Sequence, residues 1–169
     1  MNRPFGLFAI IILFMSCSEG DIIETDINFT ATPEDCFNGN DFVIYKIDTD
    51  TNRSISLNFT SSSFEVNQVP AENASETITL NGTSNVLIYR QFDSAINGEE
   101  YFCASIPPSG IIVTEELISE NGTATISYTP ISGNTFTRTI VVSNVTFKGP
   151  GIEIREEVFE FGSYEITTP

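Results

Sequence analysis

From Asp41 onward apolar and polar residues alternate with a period of two, most cleanly where Ile55, Leu57 and Phe59 are separated by Ser56 and Asn58. Successive side chains of a strand point to opposite faces, so this spacing predicts a strand with one buried face. Residues 42–47 lie before it across the polar stretch 48–53, and the two together predict a hairpin. Further strands are predicted at 64–69, 77–80, 86–92, 100–106, 111–118, 123–129, 136–147 and 152–161. Turn-forming residues separate them at Asn81-Gly82, Asn97-Gly98, Pro107-Pro108, Asn121-Gly122, Gly133-Asn134 and Gly149-Pro150-Gly151. No stretch carries a convincing helical stripe. The pattern predicts an all-β antiparallel β-sandwich of about eight to ten strands with little helix, open between an immunoglobulin-like and a jelly-roll-like arrangement.

Two stretches strain this reading. In 152–161, Ile152, Ile154 and Val158 share one parity while Phe159 and Phe161 share the other. A single strand cannot bury both sets on one face, which calls for a bulge near Glu156-Glu157 or for burial on both faces. Tyr101 stands two residues before Cys103, a spacing found in immunoglobulin domains. No tryptophan follows Cys36, however, and Cys36 precedes the first predicted strand, so Tyr101 is read as a plain strand residue.

Composition narrows the chemistry. The 169 residues fit one domain, and 14 phenylalanines against no tryptophan point to a core of Phe, Ile and Val. Seven Lys and Arg against 23 Asp and Glu give a formal charge of −16, a surface that repels phosphate backbones and excludes nucleic acid as a partner. The absence of histidine removes His-dependent triads and His-ligated zinc. Chemistry, if any, falls to carboxylates, hydroxyls and tyrosines.

The N-terminus reads as an address. Arg3 precedes an apolar run over residues 5–15 that ends in Ser16 and Cys17. A membrane span needs roughly 20 apolar residues, whereas the apolar region of a secretory signal needs about 7 to 15 behind a basic start. Leu13-Phe14-Met15-Ser16-Cys17 resembles the lipobox of bacterial lipoproteins, in which the cysteine becomes acylated and N-terminal. The resemblance implies removal of residues 1–16, lipidation of Cys17, a lipidated acidic tether over 17–35 and a single sandwich domain over 36–169. Three acyl chains would hold such a protein at a membrane permanently. Ser18-Glu19-Gly20-Asp21 is similar to the acidic export signal of surface lipoproteins in the Bacteroidota. Signal, lipobox, acidic leader and strand composition together resemble the small β-rich lipoproteins of that phylum, flavobacteria in particular. This implies an outer-membrane lipoprotein, with the cell surface slightly favoured over the periplasm, and attaches no activity to it.

With Cys17 lipidated, Cys36 and Cys103 remain as two thiols in an oxidising compartment, and a disulfide is expected. In the chain-entropy model a loop of that length is worth roughly 4 kcal/mol at most. Asp48, Asp50 and Asn52 place oxygen ligands at alternate positions, as calcium loops begin, so calcium is the one cofactor the sequence raises. Arg53 and Phe59 stand where an EF-hand needs Gly and Glu, and a polar hairpin turn accounts for the same residues. None of the pairs Glu99-Glu100, Glu115-Glu116 and Glu156-Glu157 can flank one glycosidic bond by itself, because neighbours on a strand face opposite ways; carboxylates from different strands leave glycan hydrolysis as a remote third reading. Charges that blunt sheet edges are the simpler reading. Tyr45, Tyr89, Tyr101, Tyr128 and Tyr164 are candidates for a sugar-stacking platform or for half-buried strand tyrosines. Asp93-Ser94-Ala95 resembles the O-glycosylation acceptor of secreted Bacteroidota proteins, with Ser94 as the acceptor. The expected function is therefore a lipid-anchored, non-catalytic binding or structural module whose partner is a protein or a glycan. The alternative is a calcium- or carbohydrate-binding accessory of a polysaccharide-uptake system.

Overall fold

Alternation becomes strand along most of the described residues. A computed structural model describes residues 27–38, 41–60, 71 and 74–168. The strands are β1 (Glu34–Asn38), β2 (Asp41–Asp48), β3 (Arg53–Thr60), β4 (Ser75–Thr79), β5 (Asn85–Phe92), β6 (Val113–Ser132), β7 (Thr135–Gly149) and β8 (Ile152–Thr167). All pairings are antiparallel in one eight-stranded sheet of order β1-β2-β3-β5-β6-β7-β8, with β4 pairing the far half of β6. The sheet curls until β1 and β2 lie against β7 and β8, which makes it sandwich-like. The expected all-β fold with little helix is what is found. The predicted signal, Cys17, the first part of the tether and the predicted strand 64–69 lie outside the described residues.

Several expected boundaries are corrected. Residues 111–118 and 123–129 join in one strand, β6, and Asn121-Gly122 is a kink within it instead of a turn. Residues 100–106 are not a strand: Glu99–Cys103 form a π-helical turn, opened by Asn97, whose Oδ1 accepts from the Glu100 amide at 3.0 Å. The tether does not extend to residue 35. Ile27, Phe29 and Pro33 are buried while Asn28 and Thr30 are exposed, so the packed chain starts by Ile27 and β1 starts at Glu34. Apolar side chains at alternate positions gain more from filling the core than from trailing in water.

The three long strands bend at one level. In β7 the buried set changes from Phe136, Arg138, Ile140 and Val142 to Val145 and Phe147, across Asn144 with its φ of +52°. β6 changes from Leu117 and Ser119 to Ala124, Ile126 and Tyr128 across Gly122, whose φ is +119°. A Cβ on Gly122 would also lie 3.0 Å from the Val145 backbone, so the kink requires glycine twice over. β8 changes between Glu156 and Phe159, opposite Asn144, without a shift of register; the register shift of the β7–β8 pair falls between Ile140 and Val141, opposite Glu160 and Gly162, and not near Glu156-Glu157 where the parity conflict called for a bulge. Val158 consequently points outward, 65% exposed.

Two cores result. Phe42 and Ile44 of β2, Ile55, Leu57 and Phe59 of β3, and Leu87 and Tyr89 of β5 face Ile126, Ile140, Val142 and Phe161 of the long strands. Val43 and Tyr45, on the other face of β2, pack with Phe92, Ile96 and Phe102 in a smaller cluster that the disulfide closes. This second layer corrects the reading of β3 as buried on one face, since Ser54 and Ser56 are buried too. Small residues there leave room for the Tyr45 ring, paired across from Ser56.

Candidate functional site

β6 outruns its neighbour. The β7–β8 hairpin turns at Gly149-Pro150-Gly151, and its tip rests on β6: a Cβ on Gly149 would lie 2.5 Å from Leu117 Cδ2 and 2.7 Å from the Glu116 carbonyl oxygen. β7 pairs with β6 only as far as Lys148 opposite Ile118. Residues 113–116 are thus held by β5 on one side, and among the described residues no strand pairs with their other edge. Pro150 at the tip has no N–H with which to continue the ladder.

That edge faces a groove of about 700 Å³ lined by Val113, Thr114, Glu115, Glu116, Ile118, Lys148, Gly149, Pro150 and Ile152. Val113 is 37% exposed and the adjoining Ile112 60%. Glu116 Oε2 accepts from Arg90 Nε at 2.6 Å. Lys148 Nζ lies 2.7 Å from Glu120, and that carboxylate raises the ammonium above its ordinary value. The Glu115 carboxylate has no hydrogen-bond or ion-pair partner among the described residues, while its backbone pairs with Gln91 of β5. The arrangement offers backbone donors and acceptors, apolar contact and one uncommitted carboxylate. Such an arrangement suits an extended chain.

The residues singled out by sequence are dispersed. Cys36 and Cys103 form the expected disulfide, with Cα atoms 5.6 Å apart, tying β1 to the π-helical turn. Asp48, Asp50 and Asn52 form the β2–β3 hairpin turn. Asp48 Oδ2 accepts from Arg53 Nη2 at 2.7 Å, Asp48 Oδ1 accepts from the Asp50 amide at 3.2 Å, and Asn52 takes a φ of +53°. The Arg53 guanidinium, through hydrogen bonding and its charge, holds the Asp48 carboxyl below its ordinary value. Among the described residues no three His, Cys, Asp or Glu side chains converge as a metal site would require. Ser94 is exposed in the loop after β5, and its hydroxyl donates to Asp93 Oδ1 at 3.1 Å. All five tyrosines are buried or half-buried, Tyr45 and Tyr101 in the smaller cluster and Tyr89, Tyr128 and Tyr164 in the larger. They build cores and no common platform.

Sequence reasoning passed over two buried cations. Arg138, 1% exposed, donates from Nη1 to Asp35 Oδ2 at 2.8 Å and to the Tyr164 hydroxyl at 2.7 Å. Tyr164 in turn donates to Asp35 Oδ2 at 2.7 Å. The guanidinium also lies over the rings of Phe42, Tyr128 and Tyr164, 5.5 Å from each centroid. The cluster joins β1 and β2 to the far half of the sheet. Lys46, 4% exposed, donates to the Phe29 carbonyl oxygen and so holds the entering chain, while burial lowers its ammonium below the ordinary value. Both positions were legible as inward, since Lys46 shares parity with Phe42 and Ile44, and Arg138 with Phe136 and Ile140. Set against protein-family models, curated proteins and solved structures, the chain matches none.

Proposed function

We propose that the chain is a lipid-anchored contact module of the bacterial outer membrane, held through Cys17 and displayed at the cell surface, that binds a partner without chemistry. The anchor rests on the N-terminal pattern: an apolar run over 5–15 too short to cross a bilayer, then Ser16-Cys17 and an acidic leader. One observation carries the contact, the groove along residues 113–116, where exposed Ile112 and Val113 adjoin an unpaired strand edge. The surplus of acidic side chains keeps such a domain soluble and off anionic lipid, leaving lipid to hold it near the membrane. The packing of Ile27 sharpens the geometry: ten residue steps separate it from Cys17, a reach of at most about 36 Å when fully extended.

Two measurements test the reading. Intact mass of the native protein is expected to show Cys17 as an acylated N-terminus, and a bare or uncleaved terminus overturns the anchor. Protease shaving of intact cells is expected to remove the domain, and cleavage only after lysis overturns surface display.

A further inference from the structure

We infer that the open edge of β6 at residues 113–116 takes an extended, basic segment of a partner protein as an added strand. This deepens the contact half of the function proposed above and rests on it. An edge whose backbone donors and acceptors lack strand partners is a template for another strand, and a protein exposing one must either blunt it or use it. Charge blunts this edge toward one class of occupant, and the register shift that leaves Thr114 unpaired between Val113 and Glu115 turns those two side chains to opposite faces. Glu115 and Glu116 follow one another along it on opposite faces, so pairing with the same edge of a second copy would set carboxylate near carboxylate on each face, on chains that each carry −16. An acidic strand meets the same repulsion.

A basic strand meets the opposite. Glu115 is uncommitted and half-buried against the groove wall, while Glu116 is already tied to Arg90. An extended peptide alternates its side chains, so a Lys or Arg can reach Glu115 while apolar neighbours rest on Val113, Pro150 and Ile152. The backbone ladder supplies affinity, and the carboxylate with the apolar wall supplies choice.

The test uses the full mature chain in non-ionic detergent and a fluorescein-labelled octapeptide of alternating lysine and valine. Two control peptides accompany it: alternating glutamate and valine, and lysine and valine interrupted by proline. The expected result is anisotropy binding by the basic peptide at low salt, with new amide protection at residues 113–116. Glu115→Lys is expected to weaken binding about tenfold, the equivalent of about 1.4 kcal/mol, and the proline-interrupted peptide to bind at least as poorly. Ile112→Ser, at an exposed position, serves as a second variant and weakens binding less. Equal binding of the straight and interrupted peptides would show charge attraction without strand addition and overturn the inference. No binding, protection confined elsewhere, or a wild-type dimer dissolved by Glu115→Lys would overturn it too. A bare Cys17 terminus sinks the anchor and leaves these outcomes as they stand.

Discussion

The Arg138 cluster and the β6 groove are built from the same kinds of group and left in opposite states. Around Arg138, one cation has a carboxylate, a hydroxyl and three aromatic rings, and it is sealed from water. At the groove, carboxylates, a lysine and exposed aliphatics line a strand edge that no described strand completes. Burial makes a charge costly without a counter-charge, so the Asp35 carboxylate and the Tyr164 hydroxyl fix the first region in one arrangement that belongs to the fold. The second retains contacts to give away. Breaking the first should therefore cost stability and breaking the second should not.

The largest loss is expected from Asp35→Ala. It leaves the Arg138 guanidinium buried without its carboxylate; removal of one partner of a fully buried pair costs about 3–5 kcal/mol, and the 30% exposure of the Asp35 side chain places this loss toward the lower end. Arg138→Met in the same chain should recover much of that, because an apolar side chain of similar length needs no counter-charge. Urea unfolding of the two single variants and the double measures the coupling. Additive losses would mean that the pair does not act as a unit.

Replacing Cys36 and Cys103 with serine comes next, at about 2–4 kcal/mol, read as a fall in the thermal midpoint. The smaller cluster should loosen first, since the bridge pins Phe102 against Tyr45, whose rings stack with centroids 4.6 Å apart. Amide exchange at the π-helical turn is expected to quicken more than at β7.

Tyr164→Phe should cost about 1 kcal/mol near neutral pH through its lost hydrogen bonds. It also has a pH signature. Burial first, and the Asp35 charge after it, push the Tyr164 hydroxyl well above its ordinary value near 10.0. Above that value the unfolded chain gives up a proton that the folded state keeps, so the folded state loses stability as pH climbs past about 10. Burial raises Tyr45 and Tyr128 in the same direction, so the variant should flatten the alkaline decline without abolishing it. A decline equally steep in the variant would remove Tyr164 from the account.

Much of this contrast was open to reading from the residues, and the remainder depended on partners far away in sequence. Period-two alternation locates β2, β3, β5, β7 and β8, but it does not show that β2 and β3 bury both parities between two cores or that β7 and β8 exchange their buried parity partway along. It misplaces a turn at Asn121-Gly122, since the same dipeptide serves a hairpin and a kink, and only the continuing partner β7 distinguishes them. It misses Ile27 and Phe29, whose alternation with Asn28 and Thr30 is clear but too short to rank above the acidic leader. The Cys36–Cys103 bridge follows from counting thiols, while the pairing of Asp35 with Arg138 spans 103 residues and has no local sign. The groove is invisible for a similar reason. It arises from a difference in length between β6 and β7, which the alternation of either strand alone does not express.

The smallest effect on stability is expected at the groove, and there the contrast is sharpest. Ile112→Ser and Glu115→Lys should each shift the unfolding free energy by no more than about 0.5 kcal/mol, because Ile112 is mostly in water and Glu115 has no partner to lose. Side chains kept for the fold are costly to remove, as at Asp35. A hydrophobic residue held 60% exposed beside an open strand edge gains nothing in the isolated chain, so its removal should register only in binding. Urea unfolding of both variants beside the wild type measures this directly. A loss of 2 kcal/mol or more in either would place the groove with the Arg138 cluster, as part of the structure and not a surface reserved for a partner.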